Sequence, residues 1–119
     1  MKRTLLKSKI HRAVVTDANL NYEGSISIDK SLCKKADLLE FEKVDIYNVT
    51  NGERFSTYII YGAAREICLN GAAARKVHKG DILIIASFAE YNESESSQHS
   101  PKIIEVDSNN KVQGNHKAK

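Results

Sequence analysis

The sequence predicts a mainly β protein that forms a small closed barrel with short helices. Polar and apolar residues alternate with a period of two over several short runs, which is the pattern of half-buried strands. Between two of these runs, the Asn51-Gly52 pair is typical of a hairpin turn. The 119 residues suit one small domain. Many short strands in one small domain favour a closed barrel, because closure removes exposed strand edges, and a β-sandwich is the competing architecture.

The elements are assigned in chain order. Strand-like alternation begins at Arg3, and a polar, turn-like stretch begins at Asp17. Asp29 can cap a short helix over Lys30–Leu38, because its carboxylate accepts hydrogen bonds from the first-turn N–H groups. Residues 92–119 are rich in polar side chains and are expected to form a flexible loop and tail. Further strands are expected at residues 26–28, 44–49, 54–61, 66–69, 81–91 and 102–106.

Composition disfavours several classes of protein. The 18 Lys and Arg residues are scattered, whereas a dedicated nucleic-acid binder usually concentrates its basic residues on one face or tail. With 15 Asp and Glu they give a net charge of +3, which a site for a small anionic substrate fits equally well. The longest wholly apolar run, Ile82–Ala86, is far shorter than the roughly 20 residues of a membrane span. The two cysteines and four histidines lack the spacing of a zinc site. We therefore expect a cytoplasmic protein that binds no metal, nucleic acid or membrane.

Gly24-Ser25 carries the chemistry of backbone self-cleavage. The Ser25 hydroxyl can attack the Gly24 carbonyl carbon and turn the amide into an ester, and glycine suits this position because it tolerates strained backbone angles. Elimination from the ester leaves dehydroalanine, whose hydrolysis gives a pyruvoyl group and ammonia. A pyruvoyl group can act as an electron sink for an amine substrate, as pyridoxal phosphate does. In isolation, the pair is more typical of an ordinary turn.

One predicted strand carries a candidate binding face. Arg54, Ser56 and Tyr58 alternate along it and therefore share one side of the sheet. Arginine can hold a carboxylate through two hydrogen bonds, and tyrosine can deliver a proton. Strict alternation sends Thr57 to the opposite side. An exposed arginine beside a half-buried tyrosine is the ordinary structural interpretation of the same pattern.

Two other segments could hold an anion. The small side chains of Asn70–Ala74 leave backbone N–H groups open to a ligand, and the segment can begin a helical turn. Lys9 and His11 are two residues apart on a predicted strand, so both side chains lie on one face and could receive a second carboxylate. A tight turn and a solvated strand face, respectively, explain these patterns without any ligand.

In this order, the segments resemble the bacterial aspartate 1-decarboxylases, a pyruvoyl-dependent family. The resemblance covers about residues 1–91. Its specific motifs are Tyr-Glu-Gly-Ser at 22–25 and Asn-Gly-Glu-Arg-Phe-Ser-Thr-Tyr at 51–58. The segments that carry it are Lys9–Arg12, Thr16–Ser25, Ile46–Tyr58, Leu69–Ala74 and Gly80–Phe88.

The resemblance implies a double-psi β-barrel that assembles as a homotetramer with sites at subunit interfaces. It implies a zymogen that cuts itself between Gly24 and Ser25 into a β chain of residues 1–24 and an α chain of residues 25–119. The implied reaction converts L-aspartate to β-alanine and carbon dioxide and feeds pantothenate and coenzyme A biosynthesis.

The resemblance also implies residue roles. Ser25 would become the covalent pyruvoyl cofactor that forms a Schiff base with the substrate, and Tyr58 would donate a proton. Thr57 would both contact the substrate and help self-cleavage. The substrate-binding residues would be Thr57, Gly71, Ala72, Ala73, Arg54 and Lys9, with His11, Asn70 and Tyr22 as neighbours of the site.

Two alternatives stay open from the sequence. One is a non-enzymatic β-barrel module that binds small anions or nucleic acid, and the other is a pyruvoyl enzyme for a different amino acid. The chain has Tyr47 where several relatives of this resemblance carry tryptophan, so packing beside the site is expected to differ. A maturation factor for self-cleavage is left open as well.

Overall fold

The structure is a computed structural model, and it describes residues 1–117. This part of the chain contains nine strands, two short α-helices and one 3₁₀ helix. The strands are β1 Arg3–Val14, β2 Asp17–Asn19, β3 Ser25–Asp29, β4 Lys43–Asn48, β5 Arg54–Gly62, β6 Ile67–Asn70, β7 Ile82–Tyr91, β8 Lys102–Val106 and β9 Val112–Lys117. The helices are α1 Lys30–Lys35, the 3₁₀ helix Gly71–Lys76 and α2 Glu93–Ser96. None of the helices in this part of the chain is long and apolar enough to cross a membrane.

All nine strands belong to one mixed sheet in the order β2-β6-β3-β5-β4-β7-β1-β8-β9. The pairs β3–β5, β1–β8 and β2–β6 are parallel, and the other neighbours are antiparallel. The mainly β class is therefore confirmed. Within residues 1–117, β2 and β9 form the two ends of this order and no pairing joins them, so the closed barrel remains a prediction.

A row of isoleucines forms the centre of the core. Ile46, Ile85, Ile10 and Ile104 face one another across β4, β7, β1 and β8, and each is fully buried. Full burial of such a side chain stabilises the fold by about 1.5–3 kcal/mol. The row fixes the register of four strands, because a slip of one residue would turn every isoleucine to the opposite face.

Asp29 caps α1, as the sequence predicts. Its carboxylate accepts hydrogen bonds from Ser31 N at 2.8 Å and from Arg65 N at 2.6 Å. Burial alone would raise the pKa of Asp29, but these hydrogen bonds outweigh burial and hold its pKa below the ordinary value. The helix ends at Lys35 rather than at Leu38, because Asp37 adopts a left-handed backbone conformation with φ 57°.

The turn between β4 and β5 spans residues 49–53 and is longer than a two-residue hairpin. Gly52 has φ 80°, and the Asn48 side-chain oxygen accepts hydrogen bonds from Thr50 N and Asn51 N. The hairpin predicted from Asn51-Gly52 is confirmed. This turn sets the register in which β5 presents residues 54–58.

The segment after Tyr91, where the sequence predicts a loop and tail, contains α2, β8 and β9. The strand predicted at residues 102–106 is confirmed. Asn110 lies in the turn before β9 and is buried, because its side chain binds both backbone groups of Val14 and the carbonyl of Arg65. These long-range hydrogen bonds, with partners 45 and 96 residues away, leave no local pattern in the sequence. The turn-like stretch at Asp17 likewise forms β2, which pairs with β6.

Candidate active site

Ser25 is the first residue of β3 and is 1% exposed, whereas residues 20–24 before it are all exposed. Its hydroxyl donates a hydrogen bond to the carbonyl of Glu23 at 3.2 Å and accepts one from Asn70 Nδ2 at 3.0 Å. The Ser25 Oγ atom is therefore fixed beside its own peptide bond with Gly24. The Gly24 carbonyl carbon in this bond is the atom that the predicted self-cleavage would attack.

Asn70 connects the candidate cleavage site to β6. It pairs with Ser25 in the antiparallel register of β3 and β6 and is 3% exposed. Its Nδ2 also donates to Ser27 Oγ at 3.0 Å. Although Asn70 precedes the 3₁₀ helix, its side chain makes no capping hydrogen bond there. The Nδ2 end of the amide is directed to β3, so a residue expected only as a neighbour of the site contacts Ser25 directly.

Gly71 packs against the backbone of the cleavage site. It has φ +65°, and a Cβ placed on it would lie 2.7 Å from both Cα and N of Gly24 and 2.9 Å from Tyr22 O. Such distances are shorter than real Cβ contacts, so only glycine fits without a shift of the neighbouring backbone. The tight contact keeps the backbone of Gly24 in place.

A cavity of about 400 Å³ opens beside Gly24. Thr57 and Tyr58 of β5 and Ala72 and Ala73 of the 3₁₀ helix all line it. Four of the residues expected to act on substrate thus meet at the predicted cleavage site. Its full lining is Gly24, Phe55, Ser56, Thr57, Tyr58, Ala72, Ala73 and Lys76.

Thr57 and Tyr58 both line the cavity because this part of β5 is paired with a neighbouring strand on one edge only. Residues 54–58 of β5 pair with β4 on one side, whereas the parallel pairing with β3 begins only at Ile59, opposite Ile26. Within the described chain, the other edge of residues 54–58 therefore has no strand partner, and residues 55–58 line the cavity. Continuing the register of β3 and β5 by one residue brings Ser25 level with Tyr58.

Comparison with known proteins identifies the family. A family model described as aspartate decarboxylase matches residues 1–113. The chain belongs to the aspartate decarboxylase family. It is 61% identical to the aspartate 1-decarboxylase of Campylobacter hominis over 112 residues, which cover 94% of this chain and 98% of the relative. It is 57% identical to the aspartate 1-decarboxylase of Helicobacter hepaticus over 113 residues, which cover 94% of each chain.

A third relative, the aspartate 1-decarboxylase of a Hydrogenobaculum species, is 59% identical over 112 residues, which cover 94% of this chain and 90% of the relative. The family predicted from the motifs is confirmed. Membership of the aspartate decarboxylase family also favours an enzyme over the alternative of a non-enzymatic binding module.

The three cationic residues that the family resemblance brings into the site lie outside this cavity in a single chain. The guanidinium of Arg54 stacks on the Tyr47 ring, with its central carbon 4.1 Å from the ring centroid. Lys9 and His11 lie on β1, which is separated from β3 by β5, β4 and β7 in the sheet order. One copy of this aspartate decarboxylase family member therefore gathers the cleavage residues but not all the predicted cations.

Lys76 is a cavity residue that the sequence analysis missed. Its side chain lines the cavity, and Nζ lies 3.2 Å from Glu53 Oε2. Its carbonyl accepts hydrogen bonds from Asn48 Nδ2 at 3.2 Å and Asn51 Nδ2 at 3.0 Å, which anchor the 3₁₀ helix to the β4–β5 turn. Lys76 follows Ala73 by three and so shares a face of a 3₁₀ helix with it, but this spacing does not show that the face lines a cavity.

A second cavity, of about 330 Å³, lies against Asn70. Tyr22, expected near the site, lines this second cavity and is exposed. Ser27 and Cys68 also line it. Asn70 is thus accessible from a cavity that is distinct from the one lined by Thr57 and Tyr58. Among residues 1–117, no group of three or more His, Cys, Asp or Glu side chains is placed to hold a metal ion.

Proposed function

We propose that this chain is an aspartate 1-decarboxylase, a lyase that converts L-aspartate to β-alanine and carbon dioxide after cutting its own backbone between Gly24 and Ser25. The observation that carries the proposal is the buried, doubly hydrogen-bonded Ser25 hydroxyl next to a cavity lined by Gly24, Thr57 and Tyr58. The cut separates a β chain of residues 1–24 from an α chain of residues 25–119. The α chain then begins with a pyruvoyl group made from Ser25.

Self-cleavage uses groups that are already adjacent. Ser25 Oγ adds to the Gly24 carbonyl carbon, the C–N bond breaks, and the hydroxyl proton ends on the released nitrogen, which leaves an ester. Loss of the Ser25 α-proton then breaks the Cβ–Oγ bond and releases Gly24 as a carboxylic acid. This elimination leaves an enamine at position 25. One water molecule hydrolyses the enamine, so its nitrogen leaves as ammonia and a carbonyl oxygen takes its place. Asn70 holds Oγ during the first step, and Thr57 lines the same cavity as Gly24.

The surrounding residues fit a pyruvoyl group at position 25. Ser25 is held by strand pairing with Asn70, and the residue before it lines the cavity, so the new end of β3 would face the space beside Tyr58. The small side chains of Ala72 and Ala73 leave room there. When present, such a group supplies an electron sink for the charge left on the α-carbon as carbon dioxide departs.

The chain's own side chains perform the remaining tasks. The Tyr58 phenol lines the cavity and is 38% exposed, so it can reach a bound substrate and give a proton to the α-carbon. The Thr57 hydroxyl and the backbone of Ala72 and Ala73, which line the cavity, hold the substrate in the orientation for bond cleavage, and Gly71 lies next to them against Gly24. Lys76, now paired with Glu53, contributes a positive charge to the cavity wall for a dicarboxylate substrate, whereas Arg54 lies outside this cavity in one chain.

The predicted role of Lys9 supports a homo-oligomer, which we propose to be a tetramer. Because three strands separate β1 from β3 within one sheet, the Lys9 side chain would come to the cavity from a second copy of the chain. We propose the same origin for His11. The double-psi β-barrel of the family resemblance is supported by a crossover in the sheet, since β3 and β5 pair in parallel although β4 lies between them in sequence.

Mass measurement under denaturing conditions tests the proposal. Wild-type chain is expected to give two fragments that meet between residues 24 and 25, the larger with a pyruvoyl end, and to release carbon dioxide from L-aspartate. The Ser25→Ala variant is expected to give one uncut, inactive chain. Ser27→Ala is the matched control, since it removes a hydroxyl from the same hydrogen-bond network but keeps Ser25. Wild-type chain that stays uncut, or that decarboxylates another amino acid in preference to aspartate, contradicts the proposal.

A further inference from the structure

The Cys68 thiol contacts the far end of the Asn70 side chain. Cys68 lies on β6, is 7% exposed, and its Sγ is 3.4 Å from Asn70 Oδ1. The carbonyl of Leu69 is a second acceptor at 4.0 Å, so the nearer acceptor for the thiol proton is the Asn70 side chain. Burial, with the Asp17 and Glu66 carboxylates adding to it, raises the pKa of Cys68. The thiol is therefore protonated at neutral pH and can donate.

This contact bears on which end of the Asn70 amide faces Ser25. Ser25 has one hydroxyl proton, which it gives to the Glu23 carbonyl, so from Asn70 it can only accept a hydrogen bond. That requires Nδ2, and not Oδ1, to face Ser25 Oγ. A half-turn of the amide would exchange the two ends and direct N–H groups at the Cys68 sulfur, which is a weak acceptor.

We propose that Cys68 is a positioning residue for self-cleavage, which acts by holding the Asn70 amide in the orientation that fixes Ser25 Oγ. The inference rests on the proposed function, because it assigns Cys68 a part in the cut between Gly24 and Ser25. Cys68 touches neither of these two residues through a hydrogen bond of its own. It acts through Oδ1 of Asn70, with Ser27 as the second acceptor for Nδ2.

The test measures the rate of self-cleavage in chain made by cell-free synthesis, followed as the fraction cut on denaturing gels. Cys68→Ala removes the donor, and because a thiol is a weak hydrogen-bond donor, cleavage is expected to slow about threefold. Cys68→Ser keeps a donor and is expected to cleave within about twofold of the wild-type rate. Serine is smaller than cysteine, so a site that needed only packing would treat serine like alanine.

Cys33→Ala is the matched control. Cys33 is also a fully buried thiol, but its Sγ lies 3.9 Å from the Ile28 carbonyl, and within the described chain it makes no hydrogen bond with Asn70. Cys33→Ala is expected to lower the melting temperature while the cleavage rate stays at the wild-type value. Thermal melts of each variant on a Ser25→Ala background measure the loss of stability separately from cleavage.

The outcomes separate this inference from the proposed function. Slow cleavage by Cys68→Ala together with recovery in Cys68→Ser supports the inference. Wild-type cleavage with an equally fast Cys68→Ala variant, or a Cys68→Ser variant as slow as Cys68→Ala, overturns it and leaves the proposed function intact. A wild-type chain that is never cut overturns both.

Discussion

Substitution of Gly71 by alanine is expected to disturb the cleavage site through its backbone. At φ +65° an L-residue costs about 1–2 kcal/mol more than glycine. The new Cβ would also lie 2.7 Å from the Cα and N of Gly24, and overpacking of this kind costs roughly 1–3 kcal/mol. We therefore expect Gly71→Ala to lower the free energy of unfolding by about 2–5 kcal/mol, and to slow self-cleavage because Gly24 must move.

Gly80→Ala is the control for this prediction, because Gly80 has φ +93° but no atom lies within 4 Å of the position that a new Cβ would occupy. Gly80→Ala therefore has the free-energy cost of a positive φ but no steric contact with Gly24. Thermal melts on a Ser25→Ala background compare the stability of the two uncut variants, at about 4 °C for each kcal/mol. Cleavage rates are then measured with Ser25 restored. If Gly71→Ala melts and cleaves like Gly80→Ala, the inferred contact with Gly24 is wrong.

Three further changes test other parts of the site and fold. Tyr58→Phe is expected to leave self-cleavage intact and to lower kcat about 100-fold or more, and unchanged kcat in fully cut enzyme would remove the phenol from catalysis. Lys76→Gln is expected to raise KM for aspartate about tenfold with little change in kcat, whereas the exposed Lys79→Gln should change neither. The pKa of Asp29 is lowered in the folded chain, so its charge stabilises the fold above the ordinary value of about 3.9 and this stability is lost as the pH falls through the folded pKa. On a Ser25→Ala background, Asp29→Asn should therefore lower the melting temperature at pH 7 but not at a pH below that pKa, and an equal loss at both would contradict the assignment.

Local patterns predicted most of the strands. Alternation identified β4, the Asn51-Gly52 turn identified β5 as the returning strand, and a long apolar run identified β7, whose Ile85 packs in the core beside Ile46 of β4. The cap at Asp29 and the turn at Gly52 were also predicted, because each depends on residues within a few positions along the chain. Structure that depends only on neighbouring residues can therefore be predicted from a single sequence.

The shape of the active-site cavity could not be predicted in this way. Thr57 and Tyr58 reach it together because pairing of β5 with β3 begins only at Ile59. That boundary depends on the register of two parallel strands joined through α1 and β4, and no local pattern encodes it. Family motifs predicted the residues, and only the fold supplies the reason why alternation does not separate them.

Lys76 was missed for a related reason. Its place at the cavity depends on the carbonyl contacts with Asn48 and Asn51, which join the 3₁₀ helix to the β4–β5 turn. The side chain is a charged residue in a helical turn and resembles a solvated lysine when the sequence is considered alone. Asn110 shows the same limit, since its buried contacts to Val14 and Arg65 span distant parts of the chain.

The proposed cut falls where the fold can accept it. Residues 20–24 are exposed, and residues 25–29 are buried in β3, so the bond between Gly24 and Ser25 joins an exposed loop to a held strand. β3 keeps its pairing with β5 and β6 without that bond, and β1 is held by β7 and β8 through strand pairs that lie elsewhere. Strand pairing, and not the peptide bond between Gly24 and Ser25, therefore holds residues 1–24 and the rest of the chain together. This is why Ser25 can be consumed in a single reaction with its own backbone while Asn70 and Tyr58 stay beside the new chain end.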